Sequence, residues 1–216
     1  EEVIRRDPTQ ARAQYSLGVL LNEARRYDEA ITRFQSAIQH EPGYVQARVQ
    51  LAGVLARAGR PGEAVAEYAR ALETDPSLSE ALYGRGMAFV RLRRYRDARD
   101  TFAEGTKRFP EQPLFKLALA RLLAAAPDAQ VRDGRQSMAL VNELMKGPQS
   151  IELAETAAMG LAEIGRFDQA IDAQQSVVTA ARKNNLAPVV QRATENLALY
   201  AKTEPSRRPF ADDELP

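Results

Sequence analysis

The sequence predicts an all-α fold, a right-handed α-solenoid of helix-turn-helix repeats closed by a C-terminal capping helix. Three observations carry that expectation. First, Pro8, Pro42, Pro76 and Pro110 stand 34 residues apart, and a fixed period of that size marks a repeat architecture. Second, Ala30, Ala64 and Ala98 keep the same interval, as do the aromatic residues Phe34, Tyr68 and Phe102 and the small residues Gly18, Ala52 and Gly86. Third, Leu17, Leu20, Leu21 and Ala24 have helical spacing, "RRYD" interrupts it, and Ala30, Ile31, Phe34, Ala37 and Ile38 resume it. Each unit is therefore read as two amphipathic helices.

Residues 1–10 read as the second-helix remnant of an upstream repeat, because Val3 and Ile4 fall one period before Ala37 and Ile38. The chain is thus expected to be a segment of a longer solenoid, with self-association possible through its exposed ends. Three regular repeats follow, at 11–44, 45–78 and 79–112. Gly59 and Gly165, in "AGRPGEA" and "IGRFDQA", sit at inter-helix breaks, where glycine can take the left-handed conformation that ends a helix. The second helix stops near proline, which lacks the amide hydrogen a continuing helix needs. Small and aromatic columns are complementary, since two helices approach closely only over Gly, Ala or Ser.

The fourth repeat, 113–150, is irregular. A first helix is expected over Pro113–Leu123 and a second over Gly134–Lys146, joined by the long loop "AAAPDAQVRDG" around 124–134. The fifth, 151–185, returns to type through Leu161, Gly165, Arg166, Phe167, Ala170 and Ile171. Residues 186–203 are expected to cap the array. Pro188 suits a first turn, Val189, Val190, Ala193, Leu197 and Tyr200 make an apolar stripe, and Gln191, Arg192, Glu195 and Asn196 would give the polar outer face a solenoid end needs. The tail, 204–216, has three prolines and no helical stripe, and is expected to be irregular or mobile.

This pattern resembles the tetratricopeptide repeat family, of bacterial type. Ala30, Phe34, Ala37 and Pro42 match its second-helix pattern in full. Residues 45–78 match through Leu51, Ala52, Gly59, Ala64, Tyr68, Ala71 and Pro76, and residues 79–112 through Gly86, Tyr95, Ala98, Phe102 and Pro110. The "P-D…RDG" joint of the fourth unit is also similar to joints in bacterial members. The family's first-helix tryptophan is replaced by Gln14, Arg48, Leu82, Lys116 and Ala154.

The resemblance implies a concave face lined by first helices, on which a peptide or a helix of a protein partner binds. With the packing columns removed, the groove candidates are Arg12, Tyr15, Val19, Asn22, Gln46, Gln50, Arg57, Tyr83, Met87, Arg91 and Arg121. Tyr and Arg supply much hot-spot energy at interfaces, and this set suits a partner with carboxylates and apolar anchors. Two specialised sites of the family do not carry over. The carboxylate clamp of chaperone-tail binders would fall on Tyr15, Val19, Gln50, Glu80 and Gly84, and the asparagine ladder of the sugar-transferase solenoid on Ser16, Gln50, Gly84, Ala118 and Thr156.

Nothing in the sequence assembles a catalytic, metal or cofactor site. There is no Cys and a single His, His40, so thiolate or Ser-His-Asp chemistry has nothing to build on. "GRGMAF" lies inside an expected helix and lacks the strand context of a dinucleotide loop. Asp28, Glu29, Glu63, Asp97 and Asp168 open second helices, where acids complement the helix dipole. The arginines of "RLRRYRDARD" are read as an exposed turn paired with Asp97 and Asp100. A formal net charge of +1 at pH 7 offers no global field for nucleic acid, which is disfavoured as a partner. No apolar run is long enough to span a bilayer, and a soluble segment of either the cytoplasm or the periplasm fits the composition. The function expected is that of a non-catalytic protein-interaction module. The alternative is a regulatory or targeting segment of a larger enzyme or membrane-anchored protein whose active domain lies outside these residues.

Overall fold

A computed structural model describes residues 8–210 of the chain. Among the described residues there are eleven α-helices and no strand. No helix among them is long and apolar enough to cross a membrane. Contacts divide the chain between Thr101 and Phe102 into two units, each taken here by itself.

In the first unit, α1 (Pro8–Glu23) pairs with α2 (Tyr27–His40), and α3 (Val45–Arg57) with α4 (Pro61–Thr74). Next come α5 (Ser79–Arg91) and α6 (Tyr95–Arg108), of which the residues from Phe102 onward belong to the second unit. Helix α2 also packs on α3, and α4 on α5. Val3 and Ile4 lie outside the described residues. Pro8–Gln10 belong to α1, which moves the boundary drawn at residue 10, and the cause is simple. Proline lacks only an amide hydrogen that the first turn would leave unpaired in any case.

The turns between paired helices share one geometry. Arg25, Gly59 and Arg93, one repeat apart, all have positive φ (58°, 75° and 57°), as does Gly165 at 79°. In each turn the next residue's amide reaches back to a carbonyl five residues earlier: Arg26 to Leu21, Arg60 to Leu55, Arg94 to Phe89 and Arg166 to Leu161, at 2.8–2.9 Å. This is the Schellman closure, which satisfies carbonyls the helix end would leave open. Arg26, Arg60 and Arg94 then pair with Glu29, Glu63 and Asp97 in the first turn of the following helix, at 2.6, 2.6 and 2.8 Å.

Aromatic residues of second helices lie over glycines of first helices. A methyl group on Gly18 would stand 2.8 Å from Phe34 Cε1, and one on Gly84 would overlap the Tyr68 ring. Phe34 therefore seals its own helix pair, whereas Tyr68 seals α4 against α5 of the next repeat. The expected stripe on α1 is only partly covered: Leu21 is 7% exposed, but Leu17 is 39% and Leu20 61% exposed.

The second unit contains α7 (Pro113–Ala125), α8 (Gly134–Leu144), α9 (Ile151–Glu163), α10 (Phe167–Lys183) and α11 (Ala187–Tyr200). Asp133 caps α8 by accepting from the Gln136 amide at 2.9 Å, and Ser150 caps α9 by accepting from Leu153 at 3.1 Å. The long α7–α8 loop is pinned at several points. Val131 is buried, the Asp133 amide donates to the Leu123 carbonyl at 2.9 Å, and Arg132 donates to the Ala126 carbonyl at 2.9 Å and pairs with Glu163 at 3.0 Å.

Helix α11 packs on α10, with Ala193 against Val177 and Val178, and Tyr200 among Ala158, Ala162 and Ala170. Gln191 and Glu195 are exposed. Arg192 and Asn196 are buried, which corrects the outer-face expectation for these two, because Arg192 turns inward to an acid on α9. The tail is irregular over residues 204–210, but it is not loose in the structure: Ser206, Pro209 and Phe210 are buried.

Candidate partner-binding surfaces

On the first unit, the candidate groove residues come from α1, α3 and α5, and the structure separates them by depth. Arg12, Gln46 and Arg57 are exposed, Tyr15, Val19, Asn22, Gln50, Tyr83 and Arg91 are half-buried, and Met87 is buried. Met87 can therefore support such a surface from beneath but offers little to a partner. The Asn22 Oδ1 atom is buried with no hydrogen-bond partner among the described residues.

Several of these groups meet around three tyrosines. The Tyr15 ring lies 5.1 Å from Tyr44 and 5.8 Å from Phe34, centroid to centroid. Arg57 and the Tyr68 hydroxyl converge above Gly53, where an added methyl would sit 3.5 Å from Arg57 Nη2 and 3.6 Å from the Tyr68 oxygen. Burial pushes the Tyr68 hydroxyl up to about 12, with Arg57 pulling it down and Glu80 raising it. Burial also raises the Tyr15 hydroxyl, with Tyr44 and Glu80 adding to the effect. Glu80 on α5 thus acts on a tyrosine of α1 and on one of α4. Sequence reasoning placed Tyr68 only in the packing column and missed Tyr44, which precedes α3 and belongs to no repeated column.

Arg121, the eleventh candidate, belongs to the second unit and is buried, 4% exposed. Its Nη2 pairs with Glu155 at 3.2 Å. Glu155 is itself fully buried and is gripped from the other side by Arg192, at 2.9 and 3.0 Å. Arg121 also donates from Nε to the Pro209 carbonyl at 2.9 Å and lies over the Phe210 ring, 5.4 Å from its centroid. The tail of the chain covers this first-helix position. Elsewhere on the unit, Leu114, Leu117, Leu144 and Leu153 line an apolar cavity of about 420 Å³.

Tetratricopeptide repeat sequence profiles match residues 1–39, 21–77 and 55–122. The chain belongs to the tetratricopeptide repeat family. No curated protein sequence matches it, and solved structures give the same fold. A tetratricopeptide repeat protein from Parabacteroides merdae is similar with a TM-score of 0.76 at 13% identity, over 90% of this chain and 75% of that one. MamA from Desulfovibrio magneticus gives 0.70 at 15% identity, over 81% and 96%. The first tetratricopeptide domain of Spaghetti (RPAP3), solved with the HSP90 peptide SRMEEVD, gives 0.51 at 19% identity, over 54% and 92%. The tetratricopeptide architecture therefore extends past the residues the profiles match.

Proposed function

We propose that the first unit is a non-catalytic protein-interaction module. It holds an extended peptide or a helix of a partner on its first-helix face. The observation that carries this reading is the convergence of Tyr15, Tyr44 and Tyr68 with Arg57 and Glu80. Two half-buried rings, Tyr15 and Tyr44, and an exposed guanidinium backed by the buried Tyr68 are what interface hot spots are made of. The Spaghetti domain holds a peptide on the same kind of scaffold, which supports the mode of binding in general. It does not carry that peptide over, because Tyr15, Val19, Gln50, Glu80 and Gly84 stand where a carboxylate clamp would need Lys, Asn and Arg.

The test is a photo-crosslinking residue at position 83, with position 35, exposed on α2, as the control. A partner joined at 83 and not at 35 is expected. Combined alanine changes at Arg57, Tyr83 and Arg91 should weaken its capture about tenfold or more, each hot-spot truncation being worth over ~1 kcal/mol, while the helical circular dichroism and melting midpoint persist. Undiminished capture by the triple variant would remove the groove from consideration.

A further inference from the structure

We propose that the second unit carries a separate peptide site, built on Arg121, Glu155 and Arg192, whose ligand is an extended segment of the pattern basic–x–Pro–aromatic. The chain's own residues Arg207–Phe210 occupy it in cis. This goes beyond the groove of the first unit and uses different residues.

The tail is read at three points in ways that peptide sites read foreign chains. A buried arginine donates to a main-chain carbonyl, Arg121 Nε to Pro209 O at 2.9 Å. An aromatic side chain enters a place formed by the guanidinium of Arg121, 5.4 Å from the Phe210 centroid, and by the Phe102 ring, 6.4 Å away. A basic side chain finds an acid, with Arg207 Nη1 2.5 Å from Glu163 Oε2. The main-chain contact fixes the path of the segment, and the two side-chain contacts fix its sequence.

The receiving groups are held ready by the helices. Glu155 binds Arg121 from one side and Arg192 from the other, so Nη2 of the Arg121 fork is held by α9, itself tied to α11, while Nε faces the tail. Glu163 is likewise engaged by Arg132 of the long loop. Pro205 and Pro209 stiffen the segment and favour the extended form, which lowers the ordering cost of binding. The contact is also incomplete. Between residues 206–208 and α11 a solvent-open cleft of about 300 Å³ remains, lined by Asn196, Leu199, Ser206 and Arg208 among others. A segment bordered by an open cleft is not sealed to the surface along its length, which leaves room for a better-fitting segment to take its place.

Only residues 201–206 separate α11 from Arg207, so the cis segment competes at an effective concentration on the order of millimolar. A partner segment must exceed that to displace it. The chain has no Trp, and Phe210→Trp in the full chain therefore gives a single reporter. Its emission is expected to be blue-shifted and to move to the red as the amidated peptide EPSRRPF is added to millimolar concentration. The same peptide with alanine for phenylalanine should leave it unmoved. Emission unresponsive to EPSRRPF would overturn the proposal, as would an equal response to both peptides.

A second arm uses full chain carrying Arg207→Glu and Phe210→Ala, which loosens the tail and leaves Arg121, Glu155 and Arg192 untouched. Labelled EPSRRPF should bind this variant at least tenfold more tightly than it binds the unaltered chain. Equal binding would count against occupancy in cis. A concentration-dependent dimer of the unaltered chain that EPSRRPF dissolves would overturn it too, because the tail would then serve a second copy.

Discussion

Arg25 and Arg93 hold the left-handed position that glycine holds in their sister turns, with φ of 58° and 57° against 75° at Gly59. A side chain at positive φ crowds its own backbone at a cost of roughly 1 kcal/mol, which glycine avoids. Arg93→Gly is therefore expected to raise stability by up to about 1 kcal/mol, less the greater freedom glycine gains on unfolding, and Gly59→Ala to lower it by a similar amount. Urea unfolding of both variants checks the pair, and a loss on Arg93→Gly would refute the shared geometry. The Tyr68 hydroxyl gives a pH test of the same local kind. Its folded pKa is raised from 10.0 to about 12. Stability from the neutral hydroxyl is thus whole below pH 10 and is lost as pH climbs toward 12. The full difference is about 2–3 kcal/mol at ~1.4 kcal/mol per unit. Tyr68→Phe should flatten that part of the alkaline limb between pH 9 and 11.5. Tyr200, raised in the same direction by burial, should keep the remainder.

Helices α7, α9 and α11 are joined by one fully buried acid. Glu155 faces Arg121 and Arg192, all three nearly without solvent, so removing the carboxylate strands two cations. Glu155→Ala is expected to cost about 3–5 kcal/mol. Replacing the trio together, as Arg121→Met, Glu155→Leu and Arg192→Met, should cost far less, because a buried ion pair balances its own desolvation only narrowly. Chemical denaturation of both variants distinguishes a stability role from a geometric one, and comparable losses would contradict the stranded-charge account. At this scale the sequence was legible where a feature repeats. The period and the paired helices recur, whereas the aromatic column does not keep one partner: Phe34 lies on Gly18 of its own pair and Tyr68 on Gly84 of the next. Arg25 and Arg93 were not legible as left-handed residues, because arginine carries no local sign of that conformation and only the shared backbone closure imposes it. Arg192 on α11 was misread for a related reason. A lone arginine on a terminal helix looks solvated until its acid on α9 is in view.

Taken as one molecule, the chain carries a net charge of +1 and offers partners local features instead of a global field. The first unit presents half-exposed tyrosines with Arg57 and Glu80, and the groove variants test that surface. The second unit presents a first-helix position already covered by its own tail, and the peptide experiments test whether that cover exchanges. By itself the sequence determined the all-helical class, the 34-residue period, the two-helix unit and the family, because each repeat must meet the same packing demand and so writes the same residues again. Tertiary structure alone decided which candidates reach solvent, that Met87 and Arg121 do not, and that Phe210 returns to Arg121. Arg121 and Glu155 lie 34 residues apart, Arg192 and Glu155 37, and Arg121 and Pro209 88. Each of these contacts occurs once, between residues far apart in the chain, and charge pairing of that kind leaves no periodic trace for a sequence to display.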